Sequence, residues 1–487
     1  MRVLLLEAGP APDMAPAPDA YSLSGARPEH PLAWSATASL TPARDHVVVR
    51  GRGLGGSTAT NGCYFRRARN HDLKRWARRV DDDRWHPRAV IDLWRALEAD
   101  RDFGSSPEHG ADGPITVTRV NTQNPLAAMF VQAGKDLGLP FEPDKNTDSQ
   151  PGVGPTPMNA VNGIRVDARV AFLRETPSAL TIWTDATVVG LVWARGDSTT
   201  VIGVRVRRGS GEQAILADQV ILCAGAVTTA QLLQISGVGP ATVLLPAGIR
   251  VRHELPVGAS FSDHPNVALN YTMATHARPG QDHPTLGVSA HGSSGVLEAD
   301  GVTSVPGDIE VLSFHRPLAR MLGINTDSVT MSVLCSPLVS SGRGTVRVLD
   351  GAIDRRPRIH FHYRESVEEL ARMRAAVRLG AAMLSGDAAR HFGVMPEGWH
   401  RAEVEDDSAL DRWIDAHLST AFHTCGTTPM GPAGDSRAVV DGQGRVHGVT
   451  GLRVADTGIL PDTPTGGPAA TATLIGVLVA RAVLGSS

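Results

Sequence analysis

Apolar and polar positions repeat with two periods along this chain, and the switches between them outline its elements. Val3-Leu4-Leu5-Leu6 is a continuous apolar run closed by Glu7, Gly9 and Pro10, the pattern of a parallel strand buried on both faces. Residues 10–45, rich in proline and alanine, read as loop. Val47-Val48-Val49 then leads into a glycine-rich stretch. Helical spacing follows at 70–80 and 87–99, where Val90, Ile91, Leu93, Trp94 and Leu97 form one apolar stripe. A polar loop over 104–125 precedes a helix over 125–137. Residues 181–193 and 201–207 alternate as strands of a hairpin-like layer. Residues 218–226 form a second buried strand with a small-residue turn, opening a helix that runs to Ser236-Gly237. From about 266 the texture becomes short strands and turns, clearest at 345–349 and 358–363, which predicts an antiparallel sheet capping the first unit. A helix over 366–384, a strand over 451–456 and an apolar helix over 469–484 complete the chain.

This order predicts an α/β fold: a doubly wound parallel sheet, incomplete at its N-terminal end, joined to an α+β domain on an antiparallel sheet. The expected units are residues 1–265, 266–440 and, as a return to the first unit, 441–487. At 487 residues, 42% hydrophobic, the chain is long enough for two intertwined domains.

Charge removes several function classes. Lys+Arg 47 against Asp+Glu 50 leaves a net −3, so no basic field points to nucleic acid. No apolar run reaches the ~20 residues of a bilayer span. Cys63, Cys223, Cys335 and Cys425 form no C-x-x-C pair, which argues against a disulfide framework and fits a reducing cytosol, peripheral attachment to the inner membrane face being the other placement.

The candidate chemistry starts at Gly51-Arg52-Gly53-Leu54-Gly55-Gly56-Ser57-Thr58-Ala59-Thr60-Asn61-Gly62. Five glycines in twelve residues let backbone approach a flat or charged ligand closely. Glu7 ends the first strand as an acid that accepts from a ribose hydroxyl in a dinucleotide-binding unit, where it lies about 20 residues beyond a G-x-G-x-x-G turn. That turn, its strand and its helix have no counterpart upstream of Met1. The expectation is a natural start roughly 30 residues earlier. His360 and His362 lack a third ligand at useful spacing, so no metal site is expected. Asp263-His264 reads as a structural charge pair in a turn, and Cys425 as a packing residue.

Six motifs in order resemble the glucose–methanol–choline (GMC) family of FAD-dependent oxidoreductases. They are Gly51 to Gly62 continuing to Asp72 and Trp76; Gly225 to Gly239; Leu255-Pro256-Val257-Gly258 with Asp263-His264-Pro265; Gly342 to Tyr363; His423-Thr424-Cys425-Gly426-Thr427-Thr428-Pro429-Met430-Gly431; and Val454-Ala455-Asp456-Thr457 with Leu460-Pro461. The resemblance implies non-covalent FAD, since Thr60 stands where some members tether it through histidine. It implies that Glu7 binds the adenosine ribose and that Gly53, Gly55, Gly56, Ser57, Asn61 and Gly62 line the flavin and pyrophosphate. Val188 would present backbone to the adenine, Asp456 and Thr457 would sit by the pyrophosphate or ribityl chain, and His423 would face the flavin as general base. A second active-site His or Asn is replaced by Gly467. The implied activity is hydride transfer from an alcohol to flavin. With its short length, its arginine-rich composition and the Thr465-Gly466-Gly467-Pro468 segment, the chain resembles the mycofactocin-associated branch, which implies as substrate a reduced peptide-derived cofactor feeding an electron-acceptor chain. The alternatives are an O₂-using small-alcohol oxidase, a hydroxynitrile-lyase-like relative with structural FAD, and a homologue that binds no flavin.

Overall fold

The computed structural model describes residues 1–485 except 12–16, 198, 276–284, 298–303, 326–328 and 341–342. Two short parallel pairs form its nucleotide-type half. Strand Val3–Leu6 pairs with Leu180–Trp183, and Val220–Leu222 pairs with Leu452–Val454. Among the described residues no strand takes the other edge of either Val3–Leu6 or Val220–Leu222, and Val3, Ile221 and Cys223 are exposed. The helix Gly225–Ile235 follows the second pair directly.

The larger half is one antiparallel sheet in the order Met395–Glu397, Pro265–Thr272, Met331–Pro337, Ile309–Phe314, Leu286–Gly292, Val153–Pro155. Its register explains its two faces. Ala290 opposes Val311 and Val311 opposes Cys335, while His291 opposes Glu310 and Leu312 opposes Leu334. Side chains alternate along a strand, so Val311 and Cys335 fall on one face and His291, Glu310 and Leu312 on the other. Helix Val367–Ser385 covers the apolar face, closely enough that a Cβ on Gly380 would lie 2.5 Å from Cys335 Sγ. The face bearing His291 and Glu310 is left for the site.

Three expectations change. The loop expected over 10–45 contains strand Ala33–Thr41, paired with Arg44–Gly51; its Trp34, Ala36, Ala38 and Leu40 are buried in alternation, a period-2 signal that the surrounding prolines obscured. The pieces at 345–349 and 358–363 do not join the capping sheet. Thr345–Arg347 and Arg358–His360 extend the Ala33–Thr41 hairpin into a separate four-stranded sheet. Leu180–Trp183 belongs to the parallel pair, so the hairpin layer is Ala186–Trp193, Val201–Arg208 and Gly211–Leu216. The last two corrections concern strand partners, which non-local pairing decides. Helices Asn70–Val80 and Ala469–Leu484 fall where their spacing predicts. Gly342, the start of one quoted motif, lies outside the described residues. No described helix is long and apolar enough to cross a membrane.

Candidate functional site

Small residues bring distant backbone together here. Glu7 follows Val3–Leu6, and its carboxylate Oε1 accepts from Gly9 N–H at 2.7 Å. Its carbonyl accepts from Ala186 N–H at 2.9 Å, which ties it to the strand carrying Val188. A Cβ at Gly9 would sit 2.3 Å from Arg52 O, so only glycine permits this approach to the turn at Gly53. That turn has φ +96 at Gly55 and +53 at Gly56, which favours glycine. Ser57 Oγ accepts from Gly51 N–H at 3.0 Å, closing the loop on itself. Asn61 Oδ1 accepts from Arg165 Nη1 at 2.9 Å and Cys63 N–H at 3.0 Å, and Gly62 faces Leu286 of the capping sheet. Burial raises the Glu7 carboxyl, partly offset by Gly9 N–H and Arg52.

Asp456 gathers the second flank. Its carboxylate accepts from Thr229 Oγ1 at 2.6 Å, Gly458 N–H at 2.8 Å and Gly225 N–H at 3.0 Å. Burial pushes it up to about 6 against these three donors. Thr457 Oγ1 donates to Thr424 O at 3.0 Å, linking this strand end to the segment that carries His423.

His423 is half-buried and stands edge-on to His264, with ring centroids 5.2 Å apart and planes at 89°. Their Nδ1 atoms are 3.0 Å apart, and His264 Nε2 lies 3.0 Å from Leu338 O. A carbonyl only accepts, so His264 carries its proton on Nε2 and offers the Nδ1 lone pair. His423 therefore donates from Nδ1 and keeps its Nε2 lone pair free. Burial, and then His264, hold His423 far down, at about 3; burial also lowers His264. His423 is thus a neutral base at ordinary pH. The Nε2 atom is 3.6 Å from where a Cβ on Gly467 would be, and Tyr64 Cδ1 is 3.5 Å from the same point. Gly467, which the family resemblance puts in place of a second active-site His or Asn, therefore lies beside His423.

The expected Asp263–His264 charge pair does not form. Asp263 accepts from Thr420 Oγ1, Thr424 Oγ1 and His264 N–H instead, so it anchors the turn while the His264 ring orients His423. Sequence reading missed this role because a tautomer depends on which carbonyl a ring meets. It also missed the polar patch on the capping sheet: Tyr64 donates to Glu310 Oε1 at 2.8 Å, and His291 Nε2 is 2.9 Å from the same oxygen. The buried group Glu98, Asp100 and His109 is close enough to hold a metal ion. Arg67 already pairs with Glu98, and Arg119 bridges Asp100 and Asp144. It is a closed knot of charges. His360 and His362 stack, and His362 meets Glu365 at 2.7 Å.

The residues present suit a flavin dinucleotide. A Cβ at Gly56 or Gly225, both at positive φ, would meet nothing within 4 Å, leaving open space beside a glycine turn and beside the helix start that Asp456 organises. A dinucleotide needs such small-residue approaches to its phosphates and ring.

Comparison with known proteins agrees. A family model described as GMC oxidoreductase matches residues 32–266, and a second with the same description matches 340–476. An uncharacterized GMC-type oxidoreductase of Rhodococcus erythropolis is 33% identical, covering 94% of this chain and 87% of its own. The oxygen-dependent choline dehydrogenase of Escherichia coli K12 is 31% identical over 99% of this chain and 91% of its own. Among solved structures, pyridoxine 4-oxidase from Mesorbium loti superposes with a TM-score of 0.87 at 26% identity, covering 100% of this chain and 95% of that one.

Proposed function

From the premise that this chain belongs to the GMC oxidoreductases, a family of FAD enzymes acting on alcohol-type donors, we propose that it oxidises a CH–OH group with His423 as general base. Bound FAD would supply the hydride acceptor, since cofactors carry that step. Glu7, the Gly53–Gly62 turn, Val188, Asp456 and Thr457 would hold it. Every remaining task falls to the protein.

His423 Nε2 takes the hydroxyl proton. Its lone pair is free because Leu338 O fixes the His264 tautomer and His264 fixes that of His423. This relay is the observation that carries the reading. Gly467 leaves the substrate carbon room against Nε2, and the buried Tyr64 ring walls one side of that room. A positioned base contributes about 10²–10⁴ in rate. The lyase alternative uses the same histidine with no net oxidation, and the oxidase alternative differs only in the final acceptor.

Anaerobic mixing of the flavin-loaded protein with primary alcohols tests the proposal. Loss of the flavin absorbance is expected, slowed about 10²–10⁴-fold in His423→Ala. Equal rates in the variant would refute the role of His423, and peroxide yield in air separates oxidase from dehydrogenase. The reduced peptide cofactor of the mycofactocin system belongs in the substrate panel.

A further inference from the structure

Arg66 is wholly buried, yet two of its three guanidinium nitrogens, Nε and Nη2, have no hydrogen-bond partner. Among the described residues no carboxylate lies within ion-pair distance of it, in contrast to its neighbours Arg67 and Arg69, paired with Glu98 and Glu142. Among the described residues its one polar contact is Nη1 to His291 Nε2 at 2.7 Å. That contact fails on tautomer grounds. Lys145 Nζ, which only donates, lies 3.1 Å from His291 Nδ1, so Nδ1 is the acceptor and Nε2 carries the proton. The Nε2–H then points to Glu310 Oε1 at 2.9 Å. Arg66 Nη1 faces a donor, and the buried guanidinium is left without an acceptor.

The surrounding charges do not supply one. Glu142 is taken up by Lys145 and Arg69, and Glu310 by Tyr64 and His291. Asp72 goes to Arg75, Thr465 and the Arg69 backbone, and Asp462 to Arg75 and Trp76. A buried cation without a partner is strongly unfavourable, and a bound anionic ligand is one way a native structure completes it.

Position says which ligand. Points one Cβ out from Gly466 and Gly467, adjacent residues, lie 3.2 Å from Arg66 Nη1 and 3.6 Å from His423 Nε2 respectively. Gly466 thus packs directly on the Arg66 side chain, with the unpartnered Nε 3.5 Å from its Cβ point, and the next residue faces the proposed base, which sets the orphan guanidinium and His423 one residue apart along the same backbone. We propose that Arg66 receives the carboxylate of the substrate, making this enzyme selective for alcohols that carry a carboxylate, the hydroxyl lying at His423. A guanidinium fork matches a carboxylate in two parallel hydrogen bonds. The carboxylate itself is unchanged in turnover: the hydroxyl proton goes to His423, and bound FAD would supply the acceptor for the carbinol hydride, leaving an oxo acid. This rests on the alcohol-oxidation reading above and names its substrate class.

The test compares ω-hydroxy carboxylates from glycolate to 6-hydroxyhexanoate with neutral primary alcohols of equal length. It uses flavin-loaded protein, the wild type and the variants Arg66→Gln and Arg66→Lys. Stopped-flow flavin reduction gives kcat and KM. Butyrate and hexanoate, which have no hydroxyl, give binding from thermal shift without turnover. The expected result is a kcat/KM at least about tenfold higher for an acid than for its matched alcohol. In Arg66→Gln, KM for that acid rises about a hundredfold with little change in kcat, the acid preference vanishes, and hexanoate no longer raises Tm; Arg66→Lys retains part of each. Arg66→Gln without ligand should melt no lower than wild type, because an unpaired buried charge is removed; a structural arginine would lower Tm. Alcohols that match or beat acids at every length, with hexanoate leaving Tm unchanged, overturn the carboxylate site and leave alcohol oxidation standing. Hexanoate stabilisation that depends on Arg66, with no flavin reduction by any compound, upholds the site and refutes the oxidation reading.

Discussion

His423, the base proposed above, takes its tautomer from an atom 3.0 Å away on another segment. The imidazole is neutral because the protein packed around it disfavours the charged form, but neutrality alone leaves two tautomers. The Leu338 carbonyl selects one through His264. Replacing His264 with Phe should keep the bulk and lose the selection, slowing flavin reduction by about 10²-fold, the lower end of what a positioned base supplies. Asn, which both donates and accepts, should recover part of that rate in the same rapid-mixing measurement. The H-x-x-G-T motif made His423 legible in the chain. Its partner was legible only as a histidine in a turn, because 159 residues separate the two.

At the scale of elements, the glycine turn is a packing device before it is a binding one. A Cβ at Gly51 would sit 2.2 Å from Gly56 O, and backbone cannot yield as a side chain can. Gly51→Ala should cost about 1–3 kcal/mol in urea unfolding. Gly211 has ordinary φ and nothing within 4 Å, so Gly211→Ala should be neutral or slightly stabilising, by less than about 1 kcal/mol. Glycine density announced the turn in the sequence. Which carbonyl each glycine admits is a property of the folded chain. The capping sheet teaches the same lesson: apolar runs after residue 266 announced strands, yet Arg358–His360 pairs with Ala33–Thr41, over 300 residues away, where period and propensity carry no information.

For the whole molecule, buried histidines set opposite limits on the pH range of stability. His109 lies between Glu98 and Asp144, 2.7 Å from each, with Asp100 at 3.2 Å. Burial acts to lower it, but these three carboxylates prevail and hold it at about 10. A raised folded value means stability fully present below the ordinary 6.5 and lost as pH climbs toward about 10. His109→Gln should therefore destabilise by about 3–5 kcal/mol at pH 6, as breaking a buried ion pair does, with a much smaller difference near pH 10. The site histidines act the other way. His423 and His291 are held down, at about 3 and about 4, chiefly by burial. The unfolded chain takes up protons that they refuse, so stability falls as pH drops below about 6.5. Urea midpoints across pH should show a dome whose alkaline side flattens in His109→Gln.

What the sequence alone determined is what local chemistry can encode: the glycine turn, the acid closing the first strand, the helices at Asn70–Val80 and Ala469–Leu484, the family and hence its flavin. Tertiary structure alone decided which strands pair, which proton His423 keeps, and that Arg66 is buried without an acceptor. The division follows from range. Periodicity and backbone freedom act between near neighbours, whereas hydrogen-bond partners and burial depend on atoms that only folding brings within 3 or 4 Å.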